Sequence, residues 1–71
     1  MPKTVSELLD LMAPSDDDLR SFVQLHGGAG AACNILFDAA LEAEQLEEQA
    51  RESRIRRIVG LVDRISSLNR R

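Results

Sequence analysis

The chain has 71 residues, a net charge of −3 and a hydrophobic fraction of 44%, which means one domain at most, small enough to need a staple or a partner. One cysteine excludes an internal disulfide, and one cysteine with one histidine excludes a four-ligand zinc site made by this chain alone. No run of about 18 apolar residues is present, and the N-terminus lacks the basic and apolar stretches of a signal peptide, so no membrane span and a cytoplasmic or nuclear setting are expected, in keeping with the lone thiol of Cys33.

Three helical segments are expected in chain order. The first covers about Val5 to Met12. Thr4 and Glu7 have the spacing of a capping box, Val5, Leu8, Leu9 and Met12 share a face, and Pro14 ends the segment. The second runs from about Asp16 to Leu25. Ser15 is its N-cap, and Asp16, Asp17 and Asp18 sit where the helix dipole favours negative charge. Leu19, Phe22, Val23 and His26 form its apolar face, and Gly27 supplies a left-handed stop.

The third segment begins near Ala29 and meets no proline before Arg71. Glu47 with Arg51 and Glu52 with Arg56 have the spacing of i, i+4 pairs, which supports one long helix. Its apolar stripe, however, changes phase. Leu36, Ala39, Ala43, Leu46 and Ala50 step by three and four, whereas the later stripe uses Ile55, Ile58, Val62 and Ile65, with Leu61 and Leu68 beside it. The slip of one residue turns the face by about 100°. It implies either a long helix serving two neighbours or a break near Arg51 to Arg54. The long helix is the expectation.

Charge is distributed unevenly. Residues 1–50 hold ten acids against Lys3 and Arg20, a balance of −8; residues 51–71 hold seven arginines against Glu52 and Asp63, a balance of +5. Arg51, Arg54, Arg56, Arg57 and Arg64 give the last segment a basic face, continued by Arg70 and Arg71. An acidic body with a basic end suits self-pairing or an acidic partner. It suits nucleic acid poorly, because the body repels phosphates and the basic end lacks aromatics for base stacking.

Residues 5–38 resemble the CUE and UBA family of three-helix ubiquitin-binding domains. The first segment ends in Met12-Ala13-Pro14 where the CUE pattern has Met-Phe-Pro. Gly27-Gly28 marks the second turn. Ala31-Ala32-Cys33-Asn34-Ile35-Leu36-Phe37 runs like the family's third helix, with Leu36 and Phe37 at its paired leucines. Ala13 stands in place of the large aromatic, and the stretch between Pro14 and Ala29 is a few residues shorter than usual. The resemblance implies a ubiquitin-facing patch of Met12, Pro14, Leu36 and Phe37. The residues read alone fit core positions of an unrelated helical fold, and that is the plainer reading of them.

Other motifs have plainer readings. The Gly27-Gly28-Ala29-Gly30 loop lacks the Lys and Ser/Thr of a phosphate-binding loop. The aspartate run lacks the spacing of a calcium loop. His26 has no nucleophile at a recruiting distance in sequence, and Cys33 reads as a small apolar residue. No catalytic residue, metal or cofactor is expected.

The expectation is an all-α chain with two short helices packed on a long third. A compact region spans 1–38 and an amphipathic basic extension spans 39–71. Leu36, Ala39, Ala43, Leu46, Ile55, Ile58, Val62 and Ile65 would form a homodimer interface. The expected function is a non-enzymatic protein-interaction module or adaptor, with ubiquitin its sharpest candidate partner. A homo-oligomeric helical regulator of bacterial or phage type, sequestering a partner protein, is the alternative; nucleic-acid binding by the arginine-rich end is a second.

Overall fold

Thr4 and Ser15 each open a helix with a side-chain cap. In the computed structural model, which describes residues 2–69, the Glu7 amide donates to Thr4 Oγ1 at 3.1 Å and starts α1, Val5–Asp10. The Glu7 carboxylate reaches back to the Lys3 amide at 2.9 Å, one residue before the position a capping box uses. The reciprocal box forms instead at α2, Asp16–Leu25: Asp18 N–H donates to Ser15 Oγ and Ser15 N–H donates to the Asp18 carboxylate, at 3.1 and 3.0 Å. Arg70 and Arg71 lie outside the described residues.

The end of α2 is a Schellman turn. Gly28 N–H donates to the Val23 carbonyl at 2.9 Å and Gly27 N–H to Gln24 at 3.3 Å. This path needs φ of +90° at Gly27 and +122° at Gly28, values that residues with a Cβ rarely adopt. The chain thereby reverses into α3, Ala29–Ala43.

The third segment is not one long helix. It divides into α3 and α4, Glu48–Asn69, joined by Glu44 to Glu47. The break also lies upstream of Arg51 to Arg54. Glu44, Gln45 and Leu46 make tight i→i−3 bonds of 3.0–3.2 Å to Leu41, Glu42 and Ala43, then Arg51 N–H donates to the Glu47 carbonyl and α4 begins. The phase slip explains the fold-back: the two stripes cannot face one neighbour along a straight helix, but a hairpin lets them face each other. Charge acts in the same direction. Glu42 and Glu44 disfavour the C-terminal end of α3, while Glu47 and Glu48 favour the N-terminal end of α4.

The start of α3 lies beside the end of α4, because Ala29, Gly30, Ser66 and Asn69 line one cavity. The hairpin is therefore antiparallel. α1 and α2 close over one side of it. One core cluster draws on all four helices: Leu8 and Leu9, Leu19 and Phe22, Ala32 and Leu36, and Ile58, Leu61 and Ile65. The fold is all-α, with four helices packed together.

Leu36, Ala43, Ile58 and Ile65, expected to pair two copies of the chain, are buried within one copy. Ala39, Ile55 and Val62 flank that seam half-buried, and Leu46 sits in the turn, 43% exposed. The residues of the expected dimer interface thus form an intramolecular seam, because α4 folds back to supply the partner stripe.

A candidate docking face on the hairpin

Besides Leu46 in the turn, three large apolar side chains on the two hairpin helices remain at the surface. Phe37 is 52% exposed, Leu41 62% and Val59 49%. A step of about 100° per residue puts Phe37 and Leu41 on the flank of α3 that carries Gly30 and Cys33. The same step puts Val59 and Val62 on the flank of α4 that carries Ser66. Gly30, Cys33 and Ser66 line one cavity, so the two flanks adjoin and form a single face turned away from α1 and α2. Half-buried Cys33, Ala40, Ile55 and Val62 fill its floor.

The four residues of the expected ubiquitin-facing patch are not brought together. Met12 is 99% exposed and Pro14 half-buried, and both line a cavity with Arg57, Leu61 and Arg64 on the opposite flank of α4. Leu36 is wholly buried at the seam, while Phe37 next to it faces outward. Adjacent helical residues differ by about 100°, so one points inward when its neighbour points out.

The basic face is also divided. Arg57 donates to the carbonyls of Leu9 and, at 3.2 Å, Leu11. Arg64 donates to the Pro14 carbonyl at 2.6 Å and to the Asp16 carboxylate at 3.0 Å. These guanidinium groups satisfy the carbonyls freed where α1 stops at Asp10 and the chain crosses to α2. α1 ends two residues before the expected Met12, and Leu11 is already extended. Arg54 is half-buried in a cavity with Val5 and Glu42; Arg51 is half-buried and Arg56 exposed. Neither Glu47–Arg51 nor Glu52–Arg56 forms an ion pair; those among the described residues are Arg20–Asp17 at 3.6 Å and Arg64–Asp16 at 3.0 Å.

Sequence reasoning singled out Phe37 but missed Leu41 and Val59. Both lie off the seam series, and that was the available signal: a large apolar residue out of phase with its own stripe. The arginine–carbonyl bonds had no signal, because backbone acceptors carry no sequence mark.

His26 Nε2 bonds the Lys3 carbonyl at 2.8 Å, and its ring lies 4.5 Å from that of Phe22. Among the described residues no three His, Cys, Asp or Glu side chains cluster to hold a metal, and no helix is long and apolar enough to cross a membrane. Asp18 is held below its ordinary carboxylate pKa, first by the Ser15 backbone N–H and then by the Ser15 hydroxyl. This shift belongs to a helix cap. No family model matches the chain, and no curated protein or solved structure matches it.

Proposed function

We propose that this chain is a non-enzymatic protein-binding module that docks partners on the outer face of the α3–α4 hairpin. The exposure of Phe37, Leu41 and Val59 on one continuous face carries the reading. Single exposed apolar residues are ordinary in folded proteins; three converging on a floor of half-buried apolar side chains mark a contact surface. His26 and Cys33 have local packing roles, which adds weight to binding over chemistry.

Ubiquitin remains the sharpest partner drawn from the sequence. Exposed Met12 and Phe37 favour it; buried Leu36 and the separation of Met12 from Phe37 across α4 weigh against a joined patch. The hairpin face therefore has the stronger claim. Nucleic-acid binding is less well supported, because Arg57 and Arg64 are occupied by the α1–α2 link.

Two measurements test the reading. Replacing Phe37, Leu41 and Val59 with serine should leave the thermal midpoint within the range of ordinary surface changes, about ±0.5 kcal/mol per site. A loss on the scale of a core substitution would show that these side chains support the fold instead. Titrating ubiquitin into isotope-labelled protein tests its sharpest form. Amide shifts around Phe37, Leu41 and Val59 would support it, and unchanged spectra at millimolar ubiquitin would remove ubiquitin as the partner.

A further inference from the structure

The charge around the hairpin face differs from that of α4 as a whole. α3 contains no Lys or Arg. The residues bordering the face from α3, the turn and α4 include Asp38, Glu44, Glu48 and Glu52, all exposed. Arg56, exposed, and Arg51, half-buried, are the cations beside them. Arg57 and Arg64 lie on the other flank of α4, bound to the α1–α2 link. Arg57 and Arg64 of the basic segment thus turn toward the α1–α2 link, and outside remains an apolar strip whose border holds four acids against two arginines.

We infer that this face takes a basic amphipathic helix from a partner protein. The inference rests on the protein-binding reading and names the chemistry of its partner. Two antiparallel helices leave a groove that a third helix can fill, with apolar side chains at i, i+3 or i+4 and i+7 entering between Phe37, Leu41 and Val59. Lys or Arg flanking that stripe would meet the four acids, giving complementary potential at the rim and faster encounter. The 15 residues of α3 offer about 22 Å at 1.5 Å per residue, a match for a partner helix of about four turns. A second copy of the chain suits the face poorly. Two-fold pairing would confront eight acids with two copies each of Arg51 and Arg56, and like charges brought together across a contact cost affinity.

The test uses the full chain and three fluorescein-labelled 18-residue peptides. One is an amphipathic Leu/Lys helix, one has every Lys replaced by Glu, and one keeps Lys but carries Ser for Leu. The Leu/Lys peptide should bind at least tenfold more tightly than either control, and more weakly as salt rises. Phe37→Ser with Val59→Ser, and separately Asp38→Lys with Glu52→Lys, should each weaken binding at least tenfold, with melting shifts no larger than those of ordinary surface changes. Glu7→Lys with Asp10→Lys on α1 should leave it within twofold, which separates the face from general attraction to an acidic protein.

Equal binding of the Leu/Glu peptide, or an equal effect of the α1 reversals, overturns the inference while leaving a docking face. A dimer in light scattering that Phe37→Ser dissociates also overturns it, by making a second copy the occupant. If no peptide binds, no self-association occurs, and the serine variants melt far below the wild type, both the inference and the protein-binding reading fail.

Discussion

α1 and α2 open on side-chain caps, and α2 closes on a glycine turn, whereas α3 and α4 have weaker local markers. Gly28 precedes α3 with no side-chain cap, and α3 ends in a tight turn without Gly or Pro. The N-terminal half is bounded by short-range hydrogen bonds, and the hairpin by burial. Elements bounded in the first way announce themselves in sequence; those bounded in the second become visible only when the partner surface is known.

The sharpest way to break this contrast is to cut the burial that both halves share. Leu36→Ala empties a wholly buried position at the seam. Such changes cost about 2–5 kcal/mol, against roughly 3–5 kcal/mol supplied by the core of a domain this small. The cooperative thermal transition followed by circular dichroism should be lost or nearly so. A well-formed transition only slightly lowered would show that the seam is not the common foundation.

A smaller change should separate the halves. Arg64→Ala removes the bonds to the Pro14 carbonyl and to Asp16. With the side chain 41% exposed, the expected loss is about 1 kcal/mol. Hydrogen exchange should quicken in α1 and α2 and hardly change in α3 and α4. Uniform acceleration would mean that the arginine holds the entire fold together.

Gly60→Ala should have the opposite sign. A Cβ at this mid-helix position meets nothing within 4 Å, so the hairpin should gain about 0.5–1 kcal/mol. A lower urea midpoint would show that the position needs glycine after all.

The smallest effect expected concerns the α2 cap. Asp18 has a folded pKa below its ordinary value of 3.8, so its contribution is fully present above that value. It is lost as pH falls through the lower folded pKa. Asp18→Asn should remove this acid sensitivity from the α2 amides and leave that of the hairpin unchanged; an equal acid response in the variant would rule out the cap as its source.

Legibility followed the same division. Ser15 and Gly27 marked both ends of α2, and Thr4 marked the start of α1, because capping chemistry is local. Leu36, Ile58 and Ile65 were legible as a seam but not as an intramolecular one. The Glu44–Glu47 link consists of residues that continue helices well, so composition alone argued against a turn. The phase slip was the trace of the fold-back, and it entered the sequence reading as two neighbours for one helix. The proposed docking face was half visible: Phe37 stood out by its likeness to the third helix of a ubiquitin-binding domain, while Leu41 and Val59 became significant only once α3 and α4 adjoined.

The four-residue link between α3 and α4 also sets an order of events. Contacts across it close over short stretches of chain, whereas Arg57 and Arg64 reach backbone partners 48 and 50 residues away. Short loops cost less entropy to close, so the hairpin is the natural nucleus for folding. Synthesis runs the other way. The ribosome releases α1 and α2 first, with Leu8, Leu19 and Phe22 lacking the surface that covers them. The half with the clearest local instructions must wait for the half with the fewest.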